Sequence, residues 1–144
     1  MDILMKKTIN SLATIIGTAA MLFSGHGHGN ATGADIRLVN PDEALVLIRS
    51  NAGNRQFMIL DIRTPGEYRG GHIPNSVLLD YHSPGFRDSL AALDRDRAYF
   101  VYCRSGNRTG RAVDMMKELG FTRIYELRGG IRAWLSSGLT LQVR

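Results

Sequence analysis

Cysteine is nearly missing from this chain: Cys103 is the only one in 144 residues. A lone thiol closes no internal disulfide and builds no Cys-x-x-Cys metal site, which excludes disulfide scaffolds and cysteine-rich zinc modules. Lysine is almost as scarce, confined to Lys6, Lys7 and Lys117, yet the net charge is +5, so arginine carries the positive charge. Arginine suits planar, bidentate contacts with oxyanions. The arginines are scattered, however, and form no basic run or aromatic-basic repeat, which argues against a nucleic-acid partner. Long apolar runs are missing too. The most apolar stretch, Ile9 to Phe23, is about 15 residues, short of the roughly 20 that span a bilayer.

What is present is ordinary for one globular domain: 44% hydrophobic and 22% charged residues. Lys6-Lys7, the apolar stretch and the small residues that follow it have the layout of a secretory signal. Cleavage after Ala31 or Ala34 satisfies the small-residue rule, and no cysteine follows to take a lipid anchor. Residues 1–34 are therefore expected to be an export signal, with an uncleaved membrane anchor as the alternative, and residues 35–144 the working domain. The expected location is the bacterial periplasm, or a membrane anchor facing it. The tract Gly25-His26-Gly27-His28-Gly29 is read as a spacer and not a metal site.

Past Gly33 there is no internal repeat, and short apolar runs alternate with helical patterns. Asn40-Pro41-Asp42-Glu43 starts a helix, with Asn as cap, Pro at the first position and acids in the first turn. It runs to about Ser50. Strands are expected at Phe57–Leu60, Val77–Leu79, Ala98–Tyr102 and Ile124–Leu127, with a weaker one at Ile36–Leu38. Helices are expected at Phe86–Leu93, from Arg108 to Leu119, and after Gly129-Gly130. Alternation of this kind predicts an α/β domain, a mainly parallel sheet of four to five strands with helices on both faces. Ligands in such sheets sit beyond the carboxyl ends of the strands. Cys103 lies at that end of the strand Ala98–Tyr102.

The loop Cys103-Arg104-Ser105-Gly106-Asn107-Arg108 joins a strand to a helix. The helix start offers unpaired N–H groups and a positive dipole end. Ser105-Gly106-Asn107 can form a nest of inward N–H groups, Gly106 permits close approach, and Arg104 and Arg108 add charge. Each of these favours a thiolate, the reactive form of cysteine. The same cradle would hold an anionic sulfur donor or a persulfide. Tyrosine phosphatases and related arsenate reductases use Cys-x5-Arg, whereas Cys103 to Arg108 is Cys-x4-Arg. A loop one residue shorter is too tight for phosphate and still admits a sulfane sulfur.

With these residues the chain resembles the rhodanese family in its small single-domain form, over about Ile36 to Leu139. Asp61-Ile62-Arg63-Thr64-Pro65-Gly66-Glu67-Tyr68 is similar to the family's first motif. Gly71-His72-Ile73-Pro74-Asn75-Ser76 is similar to its Gly-His-Ile-x-Gly-Ala, with Asn75 and Ser76 departing from it. The cysteine loop with Thr109 matches the active loop, and Gly129-Gly130-Ile131-Arg132-Ala133-Trp134 the closing Gly-Gly-x-x-x-Trp.

The resemblance implies a thiosulfate sulfurtransferase without metal or organic cofactor. Cys103 would be the nucleophile, with Arg104, Ser105, Gly106, Asn107, Arg108 and Thr109 binding the donor. Sulfur would pass from thiosulfate, or another donor, through a Cys103 persulfide to cyanide or a thiol. Arg104 resembles the thiosulfate-preferring members. Asp61, Arg63, His72 and Trp134 are expected to be structural supports, His82 a surface residue, and Arg128 and Asp80 candidates for the surroundings of the loop. The competing readings are a persulfide carrier, a rhodanese-like binding module, and a cysteine-dependent phosphatase or arsenate reductase.

Overall fold

The computed structural model describes residues 34–143. The stretch read as an export signal or anchor, with its Gly-His tract and the Ala31 cleavage point, lies outside the described residues. Five strands, β1 (Asp35–Val39), β2 (Phe57–Asp61), β3 (Ser76–Leu78), β4 (Ala98–Tyr102) and β5 (Arg123–Leu127), form one sheet in the order β1-β5-β4-β2-β3. All four pairings are parallel. The helices are α1 (Pro41–Ser50), α2 (Pro65–Arg69), α3 (Phe86–Ala91), α4 (Asn107–Glu118) and α5 (Gly130–Ser136).

β4 lies at the centre, buried on both faces, and its period-two alternation divides the core. Tyr99, Val101 and Cys103 face Phe86 and Leu90 of α3 and Ala112, Val113 and Met116 of α4. Phe100 and Tyr102 face Ala44 of α1 and Ile131 and Trp134 of α5. Burying aromatic and branched side chains on both sides is worth about 25 cal/mol per Å² of apolar surface, and it fixes where β4 ends. Cys103 follows directly on this buried strand.

The helix starts follow from local chemistry. In α1, Asn40 N–H donates to Glu43 at 2.8 Å in a capping box ahead of Pro41. The resemblance placed a short helix after Asp61-Ile62-Arg63, and α2 forms there behind a second capping box. Its Thr64 Oγ1 accepts from Glu67 N–H at 3.3 Å. The weak strand read at Ile36–Leu38 is the full edge strand β1, because β5 offers it a parallel partner from Asp35 to Val39. β3, at the other edge, is only three residues long.

Candidate active site

Cys103 follows the last residue of β4 and is 1% exposed. The cap of α4 is Gly106, held at φ 101°, a conformation open to glycine. Glycine brings no side-chain oxygen to accept from the first turn. The sulfur lies at this end of the helix: the cap residue's own N–H, on Gly106, donates to Cys103 Sγ at 3.1 Å, and the N–H groups of Thr109 in the first turn and of Ser105 also favour its charged form. Burial works against the thiolate, but the Thr109 hydroxyl and these N–H groups outweigh it and hold the thiol below its ordinary range. The Thr109 hydroxyl is fully buried and completes no hydrogen bond in the resting site. An ionised sulfur beside it would supply the acceptor this hydroxyl lacks.

α5 sets the direction of the loop peptides. Ile131 N–H donates to Cys103 O at 2.9 Å and Arg132 N–H to Arg104 O at 3.2 Å. With those carbonyls turned to α5, the planar peptides aim the N–H groups of Arg104 and Ser105 the other way, toward the cradle. The contact requires glycine at Gly130, where φ is 62° and a Cβ would lie 2.5 Å from Cys103 O. That is the physical content of the Gly-Gly-x-x-x-Trp pattern. Trp134 then anchors the helix, buried with its Nε1–H donating to Thr140 O at 3.1 Å.

Arg108, the last residue of the loop, is turned to α2. Its Nη1 and Nη2 donate to Glu67 Oε2 at 3.0 Å and Oε1 at 2.9 Å. Glu67 also accepts from Thr64 N–H and Oγ1–H, each at 3.0 Å. The Arg108 guanidinium, with the Thr64 cap, draws the Glu67 carboxyl down to about 2. Arg108 thus ties the first motif to the cysteine loop, and its charge is largely balanced. Arg104 is exposed and makes no ion pair among the described residues.

Beneath lies a buried polar platform. Asp61 holds Arg63 through contacts of 2.6–3.0 Å, and Arg63 Nη2 donates to Gly71 O at 2.7 Å. Tyr102 donates to Asp61 Oδ2 at 2.6 Å and accepts from Ile73 N–H at 3.0 Å, with the Ser76 hydroxyl 3.1 Å away. Burial, then Asp61, push the Tyr102 hydroxyl far above its usual range, so it stays protonated and donating. A buried ion pair is weak evidence of stability, but it specifies position well. His72 is buried and stacked on Tyr68 at 3.8 Å, and its Nδ1 lies 3.1 Å from Tyr68 O. Its N–H donates to Gln142 O at 3.0 Å, so ring and backbone are both committed to packing.

The structure thus brings Cys103, Arg104, Ser105, Gly106, Asn107, Arg108 and Thr109 into one turn, while Asp61, Arg63, His72 and Trp134 stand behind it. Asp80 caps a turn by accepting from His82 N–H at 2.9 Å, and His82 is exposed. Sequence reasoning quoted Glu67 within a motif without placing it at the site. Its capping role was readable from Thr64-x-x-Glu67; its partner Arg108, 41 residues away, carries no local signal. Cavities of about 630 and 650 Å³ lie elsewhere, one beside Arg49, Arg55 and Arg97 and one beside Leu38 and Val46. Neither includes a residue of the cysteine loop.

The family pattern for the rhodanese-like domain matches residues 41–137. The chain belongs to the rhodanese-like family. It is 35% identical over 104 residues to a sulfurtransferase of Allochromatium vinosum, covering 72% of this chain and 95% of that protein. Likewise it is 35% identical over 100 residues to the thiosulfate sulfurtransferase GlpE of Stutzerimonas stutzeri, covering 69% and 85%. The crystal structure of a rhodanese-related protein from Thermoplasma volcanium superposes with a TM-score of 0.62 at 30% identity, covering 75% of this chain and 99% of that one. Within the rhodanese-like family this chain has its one cysteine buried at the start of the loop between β4 and α4.

Proposed function

We propose that the protein is a thiosulfate sulfurtransferase working through a Cys103 persulfide. The observation that carries this reading is the Cys103 sulfur at the N-terminal end of α4, receiving Gly106 N–H at 3.1 Å. A thiolate so held attacks the outer sulfur of thiosulfate. The sulfur–sulfur bond of the donor breaks, its electron pair leaves with sulfite, and the outer sulfur stays on Cys103. The N–H groups that favoured the thiolate then favour the anionic persulfide, and the Thr109 hydroxyl gains an acceptor. Cyanide or a thiol takes the outer sulfur and restores the thiolate. Arg104, exposed and free of ion pairs among the described residues, meets the charge of the incoming dianion.

The pairing of Arg108 with Glu67 supports sulfur transfer over phosphate transfer, since a phosphoryl cradle needs that arginine turned to the anion. The names of the relatives in Allochromatium and Stutzerimonas point the same way. Thiocyanate formation from thiosulfate and cyanide tests the reading. Activity in the native protein and none in Cys103→Ser is the expected outcome; equal activity in both would place the reaction elsewhere. If the native protein is inactive as well, a carrier or binding module becomes the better account. We further propose export to the periplasm, from Lys6-Lys7 and the apolar stretch to Phe23. Cell fractionation with N-terminal sequencing tests it, and a cytoplasmic, unprocessed chain would overturn it.

A further inference from the structure

The mouth of the site carries more positive charge than a small donor requires. Arg132 begins one hydrogen bond from the loop, its N–H donating to Arg104 O at 3.2 Å. Arg128 stands at the end of β5. Its N–H donates to Val39 O at 2.9 Å, and the β4–β5 register sets Val101 opposite Glu126, one residue short of the end of each strand. Gly129 follows, its N lying 3.9 Å from where a Cβ on Gly106 would be. Arg104, Arg128 and Arg132 are all exposed, and none is in an ion pair among the described residues. Glu67 is committed to Arg108 and Asp61 to Arg63, while Glu126 of β5 is in no ion pair among the described residues.

Cys103 is 1% exposed, while Arg104 in its loop and Arg128 and Arg132 beside that loop are exposed. We propose that Arg128 and Arg132 select the sulfur acceptor, and that the acceptor is an anionic thiol, one carrying carboxylates close to its sulfur. This rests on the persulfide of the reading above and adds the chemical class of the second substrate. In the step concerned, the acceptor thiolate attacks the outer sulfur of the Cys103 persulfide. The persulfide S–S bond breaks, and its electron pair stays on Cys103 as thiolate. The outer sulfur leaves bonded to the acceptor as a new persulfide anion. Two guanidiniums on the acceptor's path raise the encounter rate of an anion and lower that of a cation, an effect that salt screens.

The test isolates this half-reaction. Cys103 is loaded with thiosulfate or, independently of that donor, with inorganic polysulfide, and free donor is removed. Loss of the extra sulfur is then followed by intact mass after mixing with cysteamine, 2-mercaptoethanol, 3-mercaptopropionate or mercaptosuccinate. Rates are compared per unit thiolate at low ionic strength. The expected order rises with negative charge, by about tenfold or more from the cationic thiol to the dianionic one. The order flattens in salt and reverses in the double variant Arg128→Glu/Arg132→Glu. Rates indifferent to acceptor charge, or a preference untouched by the double variant, would overturn the proposal. Loading by polysulfide but not by thiosulfate would sink the donor assignment while leaving acceptor selection measurable. Circular dichroism of the double variant checks that it is folded, and Arg132→Glu alone, shifting the preference in the same direction, supplies the reading if the pair is not.

Discussion

A buried thiol ionises only if donors repay the loss of water, and at Cys103 those donors are counted by name. Burial opposes the charge; the Thr109 hydroxyl and the N–H groups of Thr109, Ser105 and Gly106 overcome it. Of these only the Thr109 hydroxyl can be removed without disturbing the backbone. Thr109→Val keeps the shape and deletes the donor, so the thiol pKa rises and the thiolate fraction at neutral pH falls. The folded thiol lies below its ordinary value, so removing a donor moves the rising limb of the pH–rate profile to higher pH. The expected loss is roughly five- to tenfold at pH 7, the scale of one charge-assisted hydrogen bond lost in part. It should shrink as pH rises, and Thr109→Ser should recover most of it. A loss equal at every pH would mean that Thr109 acts through packing alone. This chemistry was readable in the sequence because it is local, from Cys103 to Thr109 along one turn.

Helices α2 and α5 both hold the loop, by different forces. Glu67 of α2 grips Arg108 with its carboxyl drawn down to about 2 from 4.5. A carboxyl depressed in the folded state stabilises above its unfolded pKa and loses that contribution as pH falls through the folded one. Glu67→Gln should therefore lower stability at neutral pH by about 1 kcal/mol, a modest figure because the pair is partly solvated. The gap between native and variant should be full above about pH 4.5 and close as pH approaches 2 in urea titrations. A gap constant across that window would show that the charge is not the cause. α5 acts through closeness. Gly130→Ala would put a methyl 2.5 Å from Cys103 O at a φ of 62°, so helix and loop must part. A cost of about 1–3 kcal/mol is expected, with sulfur transfer lost more completely than stability, since the loop peptides lose the donors that orient them. Unaltered turnover in that variant would contradict the role given to α5. The glycine pair was visible in the sequence as a motif; the carbonyls it presses against, 26 and 27 residues earlier in the chain, were not.

Across the whole molecule, the alternation of apolar runs and helical patterns was enough to predict a parallel sheet with its site at the carboxyl end of β4, because each element announces its own period. Strand order and the buried platform were not available in that way. Tyr102 reads as one more aromatic in a core strand; only folding shows its hydroxyl joining Asp61, Ile73 and Ser76 from three parts of the chain. The edge strand β1 was hard to read for a related reason, since its support comes from β5, far away in sequence. One cysteine follows the central strand, and the N–H groups of Ser105, Gly106 and Thr109 favour its charged form. The central claim, that this sulfur carries a second sulfur, is tested most directly by the mass of the protein. After incubation with thiosulfate and removal of the donor, the account predicts one added sulfur atom, mapped to Cys103 and released as an equal amount of thiocyanate on adding cyanide. A mass unchanged by thiosulfate or any other sulfur donor, in a protein whose Cys103 still alkylates readily, would contradict it.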